Sequence, residues 1–152
     1  MKNNFLKILL LYLFLVSSSL AEQFKFQTKE IELKDEGNLI IAKNGKAFSL
    51  DGSLEIEAQK FEYKKNLNTL KAFIGTAYLK EDNLKIEFDE IDTNDSTLIT
   101  TARNNIKIID LKEKVSIETN SISYNKKINV LESTSPSTIK DKNNNTLTGS
   151  YF

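Results

Sequence analysis

The feature that most restricts the fold of this chain is a pattern of side chains that returns about every thirty residues. From Phe24, apolar or threonine side chains fall at Phe26, Thr28, Ile31 and Leu33, and the same offsets from Leu54 give Ile56, Ala58, Phe61 and Tyr63. From Leu84 they give Ile86, Phe88, Ile91 and Thr93, and from Val115 they give Ile117, Thr119, Ile122 and Tyr124. The interleaved positions, such as Glu55, Glu57, Gln59, Lys60 and Glu62, are all polar. Successive side chains of a strand point to opposite faces, so this alternation predicts strands with one buried and one wet face.

In each copy the alternation slips by one residue, at Lys29-Glu30, Gln59-Lys60, Asp89-Glu90 and Asn120-Ser121. A bulge or corner there returns both halves to the same inner side, so a sheet of such strands bends at one level and folds over onto itself. The rest of each copy is weaker: Ile40, Leu70, Thr100 and Leu131 correspond, followed by Ala42, Ala72, Ala102 and Ser133, then Gly45, Gly75, Asn105 and Pro136. Turn signals at 36–38, 51–52, 64–68, 81–83, 93–96, 112–114 and 142–145 suggest one long bent strand and two short ones per copy, with Asn44-Gly45-Lys46 a hairpin turn. The fold class expected is all-β and antiparallel. Leu147, Gly149 and Tyr151 begin a further alternation, so the array is expected to break off within another copy or to offer an open end to a partner's strand.

The first residues read as a targeting segment. Lys2 and Lys7 form a positive n-region, Leu6 to Val16 form a short apolar core that only Lys7 interrupts, and Ser19 and Ala21 supply the small residues of a cleavage site, so residues 1–21 are expected to be a cleaved secretory signal peptide. Without them, the 21 acidic residues outnumber the remaining basic ones by two, and both signs are interspersed, leaving no stripe for nucleic acid. The chain has no histidine and no cysteine, which removes the usual general bases, thiol nucleophiles and thiolate metal sites. No cofactor and no catalytic or metal residues are expected. The acids Glu87, Asp89, Glu90, Asp92 and Asp95 occupy outward strand positions and read as a solvated face.

That leaves the apolar face. It can be a plain packed core, or an elongated groove between two sheet faces that holds a hydrocarbon chain, with small residues such as Ala42, Ala58, Ala72, Ala77 and Ala102 leaving room beside Phe61, Phe88 and Ile117.

The unit Leu54 to Asn83, with its Ile-Glu-Ala, its Phe/Tyr pair, Asn-x-Leu-x-Ala, Gly and closing Asp-Asn, resembles the OstA-like repeat of the lipopolysaccharide-transport (Lpt) family. The resemblance covers the chain after the signal, so residues 22–152 are expected to form one OstA-like domain. It implies an open antiparallel β-jellyroll whose interior shields the lipid part of lipopolysaccharide, without catalysis, in the periplasm or at the outer membrane. It further implies pairing with other Lpt β-jellyrolls through edge strands. The chain is expected to be the N-terminal part of the outer-membrane assembly protein, reaching that membrane through a C-terminal barrel if it continues; a free periplasmic bridge protein and a structural β-solenoid or adhesin stalk are the alternatives. The lipid-binding residues expected are Ile56, Phe61, Tyr63, Leu70 and Ile86 in the first part of the groove. Phe88, Ile91, Ile117, Ile122 and Tyr124 continue it.

Overall fold

A computed structural model describes residues 24–151; the expected signal peptide, 1–21, lies outside them. Ten strands form one antiparallel sheet: β1 Phe24–Lys34, β2 Leu39–Ser49, β3 Leu54–Lys64, β4 Thr69–Leu79, β5 Leu84–Asn94, β6 Ile99–Asp110, β7 Ser116–Asn125, β8 Val130–Glu132, β9 Ser137–Lys140 and β10 Thr146–Gly149. β1 to β7 pair in chain order. β8 and β9 then pair with opposite halves of β7, and β10 extends β9.

Each thirty-residue unit is therefore a hairpin of two long strands, not one long strand and two short ones. The short segments expected around Ile40 and Ala47, around Leu70 and Ala77, and around Thr100 and Ile108 are joined into the unbroken strands β2, β4 and β6. The joint is a left-handed residue in mid-strand: Asn44 (φ 54°), Ile74 (φ 50°), and Asn104 with Asn105 (φ 62° and 49°). Such a residue turns the strand sharply without ending it, and asparagine tolerates the conformation better than most. Asn44-Gly45 is thus this mid-strand corner and not the hairpin turn its composition suggests. Only the last unit divides, between β8 and β9, where Pro136 has no N–H to give to a ladder.

The pairing lapses at the corners. The β1–β2 register passes from Thr28↔Gly45 to Glu30↔Lys43, that of β2–β3 from Gly45↔Ala58 to Lys43↔Lys60, and that of β3–β4 from Ala58↔Gly75 to Lys60↔Phe73. The unpaired residues line up across the sheet at the level of the phase slip. In β5–β6 and β6–β7 the register itself shifts there, between Glu87 and Glu90 and between Arg103 and Ile106. Gly45 and Gly75 lie beside this line. A Cβ on Gly45 would run into the Gln27 carbonyl and Thr28, and one on Gly75 into the Glu57 carbonyl and Ala58.

The sheet doubles over along this line. Phe24 is level with Leu54 through Ser49, whereas Tyr63, at the other end of β3, is level with Ile40. Laid flat, the two would be about 30 Å apart at 3.3 Å per residue. Their rings instead meet edge to face, with centroids 5.4 Å apart, and Phe26 meets Phe61 at 5.8 Å. One wall of the sandwich holds the first halves of β1, β3, β5 and β7 with the second halves of β2, β4 and β6. The other wall holds the remainder, and the core lies between them.

Candidate functional site

The interior is built by alternating large and small side chains across neighbouring strands. Phe61 of β3 lies between Ala42 of β2 and Ala72 of β4, and Ile91 of β5 between Ala72 and Ala102. On the opposite wall Ile56 lies between Ala47 and Ala77. At these positions the odd strands supply bulk and the even strands supply space, while Ile40, Leu70, Leu79, Ile106 and Ile108 add bulk from the even strands elsewhere in the core.

All ten expected lipid-binding residues converge on this interior. Ile56, Ile86, Phe88 and Ile117 belong to one wall, and Phe61, Tyr63, Leu70, Ile91, Ile122 and Tyr124 to the other. Nine are buried, and Ile117 is half-buried against them. The room that the alanines were expected to leave is taken up by the large residues beside them, and the walls touch.

The two walls are joined by backbone along the bend. Opposite it runs a seam, where the turns 50–53 and 80–83 of one rim meet the end of β7 and the turns 95–98 and 126–129 of the other. Lys126 Nζ lies 2.7 Å from Asp51 Oδ2 and 2.8 Å from Ser53 Oγ. The Tyr124 hydroxyl donates to Asp82 Oδ2 at 2.8 Å, with Asn129 Oδ1 3.0 Å away. The Lys126 ammonium, helped by the Ser49 hydroxyl and the Ser53 N–H, holds the Asp51 carboxyl well below the usual carboxylate range. Burial, and then the bond to Asp82, push the Tyr124 phenol up to about 12. Just beneath these groups is a cavity of about 50 Å³, whose apolar lining comes from Phe24, Leu54, Leu79 and Leu98.

Of the seam residues, the sequence marks Asp51 and Asp82 only as turn formers and Tyr124 as a lipid-binding residue, and it gives Lys126 no role. Their roles depend on partners as distant in the chain as Lys126 is from Asp51, and nothing local marks them. Glu87, Asp89, Glu90 and Asp92 are where the alternation puts them, whereas Asp95, expected at an outward strand position, lies in the turn after β5 and lines the seam cavity. Glu87 pairs with Lys85 at 2.7 Å, Asp92 with Lys71 at 3.3 Å and Glu90 with Arg103 at 3.3 Å, while Asp89 accepts from Asn105 Nδ2 at 2.6 Å. Among the described residues no three His, Cys, Asp or Glu side chains are grouped to hold a metal ion.

One inner-face pair is uncovered. Ile31 and Leu33 stand in the register of Phe61 and Tyr63 but are 55% and 62% exposed. They lie on the edge strand β1, which pairs on one side only, with β2. At the other end of the sheet β10 is likewise an edge and presents Leu147 to solvent.

No protein-family model and no curated protein matches the chain. A solved structure does: the crystal structure of LptH, the LptA-homologous periplasmic component of the lipopolysaccharide transport device of Pseudomonas aeruginosa. It matches with a TM-score of 0.63 at 16% identity, over 71% of this chain and 79% of that one. The likeness is one of fold, the open antiparallel β-jellyroll.

Proposed function

We propose that this chain is a non-catalytic periplasmic carrier that shields the lipid part of lipopolysaccharide on its way to the outer membrane. The observation that carries the proposal is the interior itself, one apolar core running from Phe24 to Tyr124 between two walls that are joined by backbone along the bend but only by side chains along the seam. The fold it shares with a component of a lipopolysaccharide transport device supports the same reading. An acyl chain exchanging one apolar surrounding for another changes little in free energy, while exposure to water costs about 0.8 kcal/mol per methylene. A carrier of this kind needs no reactive side chain, only apolar walls.

The same reading gives the sheet edges a use. β1, with Ile31 and Leu33 uncovered, and β10, with Leu147 uncovered, would each accept a strand from another Lpt β-jellyroll and so extend the apolar interior from one protein into the next. In the finer assignment, the chain serves either as the N-terminal domain of the outer-membrane assembly protein or as a free bridge. The reading frame beyond Phe152 tests this: several hundred residues of membrane strands would make it the former, an early stop the latter. The expected signal peptide belongs to the proposal as the means of export.

A photo-cross-linking amino acid placed at Phe61 or Phe88 should capture lipopolysaccharide in cells. Capture from Glu57 or Glu87 alone, on the outer faces, would overturn the proposal in favour of a dry structural stalk.

A further inference from the structure

Resting on the carrier reading, we propose that the seam is a polar latch and the route by which an acyl chain enters. As folded, the interior is closed by its own side chains, and hydrocarbon is admitted sideways, between the two rims, when the contacts of Asp51 and Asp82 with Lys126 and Tyr124 part.

Three observations converge on the seam. The interior has no room for a ligand as it stands: the rings of Phe24 and Phe26 fill the gap to Tyr63 and Phe61. The cavity under the latch, about 50 Å³, is well below the roughly 150 Å³ that accommodates a benzene ring. The walls must therefore separate.

They can separate on one side far more easily than on the other. At the bend each strand runs covalently from wall to wall. Across the seam, among the described residues, no strand ladder links rim to rim. The rims are held by side chains alone, the Lys126 contacts to Asp51 and Ser53 and the Tyr124 contact to Asp82 above, and the apolar packing of Phe24 and Phe26 on Tyr63 and Phe61 beneath. Exposed ion pairs of this sort are weak and find water readily when parted.

The latch also stands over apolar ground. The lining below it, Phe24, Leu54, Leu79 and Leu98, leads directly into the core. A hydrocarbon tail inserted there would exchange contact with water for contact with these side chains, and the polar rims would remain beside the sugar part of the same molecule.

The chain contains no cysteine, so Asp51→Cys with Lys126→Cys gives a unique thiol pair. The doubly substituted chain, bridged by a short bis-maleimide, is compared with the same chain capped by N-ethylmaleimide and with the unsubstituted protein, using purified lipopolysaccharide as the probe. Bridging should slow capture at least tenfold, while the capped chain, which lacks the Lys126 contact to Asp51, captures several-fold faster than the unsubstituted protein. Equal rates for bridged and capped chains would overturn the latch and leave the carrier reading standing, since lipid would then enter from the ends of the sheet. If the unsubstituted protein captures no lipopolysaccharide, the carrier reading falls and takes the latch with it. As a second measurement, Lys126→Ala should speed capture several-fold; an unchanged or slower rate counts against the latch.

Discussion

The rings of Phe24 and Tyr63 meet edge to face at 5.4 Å, although the strand register sets Phe24 level with Leu54, at the far end of β3 from Tyr63. This contact exists only because the sheet is folded double. Tyr63→Ala should cost about 3–5 kcal/mol in urea unfolding, the usual range for emptying a buried aromatic site. A double-mutant cycle with Phe24→Ala should show a coupling of about 0.5–1.5 kcal/mol. Additive losses would mean that the walls do not rest on each other.

Ile74 is a β-branched residue in the left-handed region, at φ 50°, and is 54% exposed. It holds the mid-strand corner that Asn44 holds in β2. Ile74→Asn should raise stability by about 1 kcal/mol, because it relieves the left-handed penalty and sacrifices little buried surface. The check is a rise in Tm with an unchanged circular dichroism spectrum.

Gly75→Ala should act in the opposite direction. Its methyl group would meet the Glu57 carbonyl and the Ala58 side chain across the ladder, and backbone yields little. A loss of about 1–3 kcal/mol is expected, with Gly45→Ala behaving alike against the Gln27 carbonyl. Gly149, whose φ is not left-handed and whose added Cβ would come no closer than 3.5 Å to the Tyr151 carbonyl, serves as the control for steric cost.

The seam makes stability depend on pH at both extremes. Asp51 is depressed in the folded chain relative to its ordinary value of 3.8. Its contribution is therefore present above about pH 4 and is lost as pH falls below that. Tyr124 is raised from 10.0 to about 12. Its contribution is complete below pH 10 and disappears between pH 10 and 12, a range in which the Lys126 ammonium, raised by its bond to Asp51, acts in the same sense. Thermal melts should show Asp51→Asn closing its deficit against the parent as pH drops from 6 to 3. Tyr124→Phe should flatten the parent's decline above pH 10.

The edge strands give a prediction on association. Ile31→Asp and Leu33→Asp replace side chains already exposed on β1, so Tm should hardly move. If β1 accepts a partner strand, sedimentation should show weaker self-association or weaker binding to another β-jellyroll.

Most of the fold can be read directly from the spacing of side chains. The offsets shared by Leu54, Ile56, Phe61 and Tyr63 with their counterparts place every one of these residues on the inner face, because burial of one strand face imposes a period of two on the sequence. The level of the bend follows from the phase slip. The continuity of β2, β4 and β6 is harder to see, since Asn44-Gly45 has the composition of a hairpin turn and only the surrounding ladders show it to be a corner. The exposure of Ile31 and Leu33 is not legible either: they obey the repeat as well as Phe61 does, and only their place on an edge strand uncovers them. The seam is the least legible of all, since a lysine in one turn and an aspartate in another become neighbours only after the whole sheet has closed.

The register of alternating bulk and alanine has one more consequence. Each of the first three hairpins brings its own corner, its own bulky rib and its own alanine gap. Such a unit can be repeated or removed without redesigning the others, so a doubled sheet of this kind can change its span by whole hairpins while the spacing of its walls stays constant.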